Sequence, residues 1–144
     1  MPKTPPDGYT TVTPYLYYED VAAAMDWLAR AFGFQEKMRM AGPDGAIMHA
    51  EMTIGDNGVI MLGTPGPDYK NPKNAGHQSH GLYVYVPDVD EHFARAKAAG
   101  ANITAEPEDQ FYGDRRYTAE DPEGHGWFFA TNIRDFDEAS MQPE

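Results

Sequence analysis

The stretch YLYYEDV at residues 15–21 is repeated as YVYVPDV at residues 83–89. In both copies an alternating pattern typical of a β-strand leads into an aspartate that can cap a helix. The helical patterns that follow end at Gly33 and at Gly100. A repeat of this size in a chain of 144 residues predicts two similar half-folds, related by a pseudo-twofold axis, whose matched positions line one shared cavity.

Three further strand patterns follow the helical pattern in each half, and turn residues separate them. The predicted strands are 11–18, 34–40, 46–54 and 59–62 in the first half and 82–86, 103–106, 115–120 and 126–131 in the second. The order is therefore βαβββ twice. We expect an α+β fold in which two βαβββ modules form a curved mixed sheet around a concave cavity, with the helices outside.

The sequence predicts a single domain over residues 1–144, made of half-modules 10–64 and 80–133. Residues 65–79 join the two halves; they are rich in glycine, proline, asparagine and lysine and show no periodicity. This linker is a candidate flap over the cavity.

Composition excludes several classes of function. A formal net charge of −12 opposes binding to nucleic acid, which needs a basic surface, but is compatible with a cationic or neutral ligand. No window approaches 18 consecutive apolar residues, so no membrane span is predicted. The N-terminal residues lack the apolar core of a secretory signal, and the absence of cysteine removes disulfides and thiolate chemistry. A cytoplasmic protein is expected.

The strand at 46–54 carries a candidate acid–base pair. Met48 and Ala50 lie on its apolar face, and His49 and Glu51 lie on the other. Because the apolar face belongs under the helices, His49 and Glu51 are predicted to face the cavity. There they either transfer a proton in catalysis or serve as hydrogen-bonded lining residues.

The second half carries arginines in the matching strand. Arg115 and Arg116 follow a loop that contains Tyr112 and are candidates to anchor a ligand carboxylate or the acidic chain of a partner. The alternative is a structural pair with an aspartate or glutamate. His92 is expected on the outer, solvent-facing side of the second helix.

Three segments carry a family resemblance: TPYLYYEDVAAAMDWLARAFGF (13–34), HAEMTIGDNGVIML (49–62) and YGDRRYTAEDPEGHGWFFAT (112–131). With the repeated βαβββ order they resemble the vicinal oxygen chelate superfamily, which includes glyoxalase I, bleomycin-resistance proteins and extradiol dioxygenases. The most specific piece is Asp121-Pro122-x-Gly124-x-x-Trp127. The resemblance implies the fold but leaves the function open, because this scaffold carries lyases, isomerases, oxygenases, transferases and simple binding proteins.

The resemblance also implies a divalent metal held by His, Glu or Gln side chains from four strands. In this chain the corresponding positions fall on Thr13, Met61, Gly81 and Phe128. A hard cation needs carboxylate or imidazole donors, so we expect no metal and no cofactor. In this respect the chain resembles the drug-sequestering members of the superfamily, which have a role in antibiotic resistance.

Strand alternation places tyrosines where such a cavity would be lined. An aromatic pocket with hydroxyl groups suits a flat or cationic organic molecule, whereas the alternative is that the tyrosines only close the core. The predicted ligand-binding residues are Tyr15, Tyr17, His49, Glu51, Met61, Tyr83, Tyr85, Tyr112, Arg116 and Phe128, of which His49 and Glu51 are also the candidates for catalysis.

Two functions are therefore compared. The first is metal-free sequestration of an aromatic or cationic drug-like small molecule. The second is a lyase or isomerase of the same superfamily that uses a metal or the His49–Glu51 pair. The resemblance also implies a homodimer, and it leaves open whether one chain forms the cavity or two chains share it.

Overall fold

The computed structural model describes residues 2–136. The first half comprises β1 (Tyr15–Tyr17), α1 (Val21–Phe32), β2 (Gln35–Ala41), β3 (Ile47–Ile54) and β4 (Gly58–Gly63). A short helix, α2 (Pro72–Ala75), lies in the linker. The second half comprises β5 (Gly81–Tyr85), α3 (Val89–Ala98), β6 (Asn102–Asp109), β7 (Asp114–Glu120) and β8 (Gly126–Asn132). None of the helices in residues 2–136 is long and apolar enough to span a bilayer.

The two halves have the same topology. Each forms a four-stranded mixed sheet, in the order β1-β4-β3-β2 and β5-β8-β7-β6. β1 runs parallel to β4, as β5 does to β8, and the other neighbours are antiparallel. Tyr15 lies opposite Met61 in the first half, and Tyr83 lies opposite Phe128 in the second. The predicted α+β class and duplicated βαβββ order are confirmed, although the strands of one chain form two sheets.

Most predicted strand bounds hold to within one residue, but β6 continues to Asp109 rather than ending at residue 106. The other differences lie at the start of the chain and in the linker. Regular pairing of the first strand begins at Tyr15 rather than at residue 11. The preceding Pro14 has no N–H to donate, and only its carbonyl bonds to Met61 on β4. In the linker, the α2 segment is helical because Asn71 caps it. Both long helices have the predicted caps, Asp20 and Asp88.

One hydrophobic core serves both halves, on the side of the sheets that the helices cover. Phe32, at the end of α1, packs its ring 5.7 Å from that of Trp127 and 4.6 Å from that of Phe129, both on β8. The apolar face of the first helix therefore completes the core of the second half. Neither half encloses a core alone.

The second half also holds both ends of α1. At the N-terminal end, the carboxylate of Glu123 accepts hydrogen bonds from the backbone N–H groups of Glu19 (2.6 Å) and Asp20 (3.0 Å). At the C-terminal end, the Arg95 guanidinium donates to the carbonyls of Arg30 (2.9 Å) and Ala29 (3.0 Å). A negative group at the start and a positive group at the end match the helix dipole.

The linker is anchored rather than free. Asn71 is buried, its backbone N–H donates to Glu19, and its side-chain amide donates to Glu123. Tyr69 donates to the carbonyl of Tyr17 at 2.9 Å. These contacts fix the middle of the linker to both halves, so the structure gives no support to a flap.

The expectation that His92 faces solvent is wrong. Its Nε2 lies 3.0 Å from the carbonyl oxygen of Phe32, and its Nδ1 accepts from the hydroxyl of Tyr117. The side of α3 assigned to solvent packs against the end of α1. Burial lowers the pKa of His92 to about 4, the Phe32 carbonyl opposes that shift, and the charge of Arg95 adds to it.

Acid should therefore weaken the fold at His92. Since its pKa is about 4 when folded and 6.5 in the unfolded chain, the unfolded state binds more protons between these values. The contribution of the neutral His92 to the free energy of unfolding is fully present above pH 6.5. It is lost as the pH falls towards 4, and the total loss is roughly 3 kcal/mol. Denaturant unfolding at a series of pH values should show that His92→Gln loses less unfolding free energy between pH 6.5 and pH 4 than the wild-type protein does.

The exposed His77 provides the control, because His77→Gln should keep the wild-type pH dependence. Equal losses in wild type and His92→Gln would contradict this account of the buried imidazole.

Candidate functional site

Each sheet has one face against the helices and one opposite them, which we call its open face. In β1 the buried Leu16 points to the core, while Tyr15 and Tyr17 on the open face are 44% and 48% exposed. On the open face of the second sheet, Tyr83 and Tyr85 are 41% and 63% exposed. The tyrosines therefore line open faces and do not close the core.

A chain of hydrogen bonds crosses the first open face. The hydroxyl of Tyr15 lies 2.8 Å from Nδ1 of His49, and Nε2 of His49 lies 2.9 Å from the Glu51 carboxylate. The other oxygen of Glu51 accepts from the hydroxyl of Tyr9. Lys37 lies 4.8 Å from the centre of the Tyr9 ring, in a cation–π contact.

These contacts set the charge states of the face. Burial opposes ionisation of Glu51, but hydrogen bonds from His49 and Tyr9 outweigh it and lower the pKa of the carboxyl group. The pKa of Tyr15 is raised, by burial first and then by Tyr17 and Glu51. Glu51 is thus an anion at neutral pH, and Tyr15 keeps its proton and does not act as a phenolate.

A glycine shapes this face. A Cβ added to Gly63 would lie 2.6 Å from the hydroxyl oxygen of Tyr15 and 2.9 Å from its ring. Gly63 therefore leaves room for the Tyr15 ring to lie close against β4. Tyr17 continues the aromatic surface, with its ring centre 5.6 Å from that of Tyr15 and 5.9 Å from that of Tyr69 in the linker.

A buried carboxylate organises the second open face. Asp114 is 2% exposed and accepts hydrogen bonds from Tyr83 (2.7 Å), Tyr85 (2.9 Å) and Asn132 (3.0 Å). Burial opposes its ionisation, yet the bonds from Asn132, Tyr83 and Tyr85 lower its pKa. Conversely, the pKa values of the two tyrosines rise, through burial first for Tyr83 and through the bond to Asp114 first for Tyr85.

Arg116 lies on the same face beside an aromatic pair. Its guanidinium carbon is 5.4 Å from the centre of the Phe128 ring, and Nη1 donates to the hydroxyl of Tyr112 at 3.0 Å. The Phe128 ring stacks on Tyr83, with ring centres 5.8 Å apart and planes at 17°. Gly81 makes room for it, because a Cβ there would lie 2.8 Å from the Phe128 ring.

The side chains at the four positions implied for a metal do not fit one. Met61 and Phe128 are half-buried on the two open faces, and Thr13 and Gly81 offer no carboxylate or imidazole. Among residues 2–136 no group of three or more His, Asp or Glu side chains is arranged to hold a metal ion. Thioether and phenyl groups do not bind hard divalent cations, so the side chains at these four positions do not fit a metal of this kind.

The structure brings the predicted site residues together as two sets. The first open face holds Tyr15, Tyr17, His49, Glu51 and Met61, and the second holds Tyr83, Tyr85, Tyr112, Arg116 and Phe128. Within the described part of the chain, no hydrogen bond or ring contact joins the two sets. Each set, which we call a half-site, lies on the open face of its own sheet.

Sequence reasoning missed three side chains that complete these half-sites. Tyr9 was part of a segment without periodicity, and nothing local indicates that it returns to Glu51. Asp114 and Asn132 come from different strands, and only the register of β7 against β8 brings them together. The alternation of β7 gave the available signal, because it places Asp114 on the same face as Arg116.

Arg115 and Arg116 have different surroundings. Arg115 forms ion pairs with Asp90 (3.1 Å) and Asp109 (3.0 Å). It therefore makes the structural pair with acidic residues that was the alternative to anchoring a ligand. Arg116 points to the open face and contacts aromatic side chains.

The sequence of this chain is similar to those of known proteins. The sequence model of the Glyoxalase/Bleomycin resistance protein/Dioxygenase superfamily matches residues 8–129. The chain is 35% identical over 137 residues to the uncharacterized protein Mb0911c of Mycobacterium bovis, covering 91% of this chain and 89% of that one.

Solved structures agree. TioX from Micromonospora sp. ML1 is 37% identical and superposes with a TM-score of 0.68, over 85% of this chain and 99% of TioX. A glyoxalase/bleomycin resistance protein/dioxygenase from Nocardioides is 16% identical with a TM-score of 0.66, over 94% of this chain and 89% of that one, and so shares the fold. The chain belongs to the glyoxalase/bleomycin resistance protein/dioxygenase superfamily.

Proposed function

We propose that this protein sequesters an aromatic or cationic small molecule stoichiometrically, without metal and without chemical change. The observation that carries the proposal is the pair of open faces, each with two exposed tyrosine rings. Hydrogen bonds to groups beneath them hold the rings of Tyr15, Tyr83 and Tyr85, and the Tyr17 ring contacts those of Tyr15 and Tyr69. Rings fixed in place offer stacking surfaces at little entropic cost. The family name itself includes bleomycin resistance, which fits a binding role related to antibiotics.

The first open face already binds an aromatic ring. Tyr9 reaches it from outside the sheet, places its hydroxyl on Glu51 and lies beneath the ammonium group of Lys37. A phenol is thus accommodated by the face in the form of the chain's own side chain. The anionic Glu51 also gives this face an acceptor for a cationic or hydroxyl-bearing ligand.

We further propose a homodimer in which the first open face of one copy lies opposite the second open face of its partner. A twofold axis repeats that pairing and produces two identical cavities. Large exposed apolar side chains on a surface commonly mark an interface. On or beside the two open faces these are Tyr15, Tyr17, Met40, Tyr83, Tyr85 and Phe111.

Removing one ring from either face should weaken binding. We expect Tyr17→Ala and Tyr85→Ala each to reduce affinity for naphthalen-2-ylmethylammonium, a cationic aromatic probe, roughly tenfold through lost stacking. Calorimetric titration measures the affinity. Met48→Ala is the control, because Met48 is 53% exposed but lies on the opposite face of β3. An absence of heat and of thermal shift with a panel of aromatic and cationic molecules, including glycopeptide antibiotics, would overturn the proposal.

Mixed dimers should show whether two chains share each cavity. Tyr17→Ala damages the first face and Tyr85→Ala the second, so a mixed dimer has one intact cavity only if the faces come from different chains. Unfolding and refolding the variants together at equal amounts should restore about a quarter of the wild-type sites, because half of randomly paired dimers are mixed.

Light scattering should give twice the 16.0 kDa chain mass for wild type and for the mixture. A monomer, or a mixed dimer with no recovered sites, would contradict the shared cavity.

A proton-transfer enzyme is the second candidate, and the bonded series Tyr15–His49–Glu51 favours it. An imidazole oriented by a carboxylate can take and return a proton on a small carbonyl compound. If it does so, the protein should accelerate exchange of the carbon-bound protons of pyruvate or dihydroxyacetone with D2O, measured by NMR. His49→Gln should abolish that acceleration, whereas exchange at the buffer rate with wild type would rule out this activity on these carbonyl compounds.

A further inference from the structure

We propose that the second open face selects ligands with an anionic group on an aromatic ring, and that Arg116 is the residue that recognises the anion. This rests on the proposed function, since it assigns a ligand class to one half of the same cavity. The remaining question is why a fixed arginine stands on this face at all.

Arg116 forms no ion pair with a carboxylate, in contrast to Arg39 and to its neighbour Arg115. Arg39 pairs with Glu36 at 2.7 Å, and Arg115 pairs with Asp90 and Asp109. Among residues 2–136, no carboxylate forms an ion pair with Arg116. Arg95 and Arg134 form no ion pair within the described range either, but their guanidinium groups donate to backbone carbonyls, whereas that of Arg116 donates to a tyrosine hydroxyl.

The nearest acidic side chain along the strand is committed elsewhere. Asp114 precedes Arg116 by two residues and lies on the same face, where strand neighbours commonly pair. Its oxygens instead accept three hydrogen bonds, from Tyr83, Tyr85 and Asn132. Those bonds satisfy the carboxylate of Asp114. Glu108, which lies opposite Arg116 on β6, forms no ion pair with it among the described residues.

The guanidinium is held in place and partly desolvated. It lies over the ring of Phe128, and Nη1 donates to Tyr112, which in turn lies 3.1 Å from the hydroxyl of Tyr83. Its Nε is buried, and among the described residues it has no hydrogen-bond partner. A desolvated donor without a partner is unfavourable. An anion against the remaining exposed part of the guanidinium would compensate for that loss.

The surrounding rings define the rest of the ligand. Tyr83 and Tyr85 have ring centres 5.5 Å apart and stand beside the Arg116–Phe128 pair. A flat ring that carries a carboxylate or phenolate can stack on them while its oxygen faces Arg116. The two open faces then differ in charge preference, with Glu51 for donors and cations on the first and Arg116 for anions on the second.

Three naphthalene probes with different head groups test this inference. Naphthalene-2-carboxylate is the anion, naphthalene-2-carboxamide is the neutral isostere, and naphthalen-2-ylmethylammonium is the cation. Calorimetry with the wild-type protein should show the carboxylate binding at least about tenfold more tightly than the carboxamide, the difference expected for one charged hydrogen bond.

Two substitutions assign the preference to its residue. Arg116→Gln should remove the preference for carboxylate over carboxamide without weakening binding of the cation, because the substitution removes a positive charge and not a stacking ring. Arg115→Gln is the matched control, because that neighbouring arginine is paired with Asp90 and Asp109 and should keep wild-type affinities. Arg116→Lys keeps the charge without the planar fork, so it should retain part of the preference even if Arg116→Gln fails to fold.

The outcomes separate this inference from the proposed function. Equal affinity for carboxylate and carboxamide, or a preference that survives Arg116→Gln, would overturn the anion site while leaving a binding protein. Failure of all three probes to bind would overturn the anion site and contradict the proposed function as well.

Discussion

A buried carboxylate at the boundary between the halves constrains the rest of the structure. Asp121 is 4% exposed and accepts hydrogen bonds from the hydroxyl of Tyr18 (2.6 Å), the indole of Trp127 (3.1 Å) and two backbone N–H groups of its own turn. A charge in the interior is tolerated only when donors satisfy it. Since Tyr18 belongs to the first half and the other donors belong to the second, Asp121 requires both halves to dock in one orientation.

The same turn extends that constraint to the linker and the first helix. Glu123, two residues on, accepts from the start of α1 and from the side-chain amide of Asn71. The turn Asp121-Pro122-Glu123-Gly124 therefore connects the second half to the first half and to the linker. These contacts hold α1 and the shared core on one side of the sheets. The tyrosines lie on the opposite side, which the helices do not cover.

Sequence reasoning was most successful where the governing forces are local. The helix caps, the turns and the alternation of each strand follow from backbone chemistry, and they placed Tyr15, Tyr17, Tyr83 and Tyr85 on the uncovered faces. It failed for His92 because the partner surface, the end of α1, lies far away in sequence. For the same reason it could not place Tyr9 against Glu51 or predict that Asp114 is saturated by tyrosine hydroxyls.

On the proposed function, Tyr9 competes with a ligand for the first open face. One oxygen of Glu51 is taken by the Tyr9 hydroxyl, and the Tyr9 ring lies beneath Lys37. A ligand that needs that oxygen of Glu51 can bind only when Tyr9 is displaced from it. Its measured affinity is then the intrinsic affinity multiplied by the fraction of molecules in which Tyr9 is displaced. If Tyr9 is bound to Glu51 in nine-tenths of the molecules, the measured affinity falls about tenfold. In that case the contacts of Tyr9 with Glu51 and Lys37 set how far the measured affinity lies below the intrinsic one.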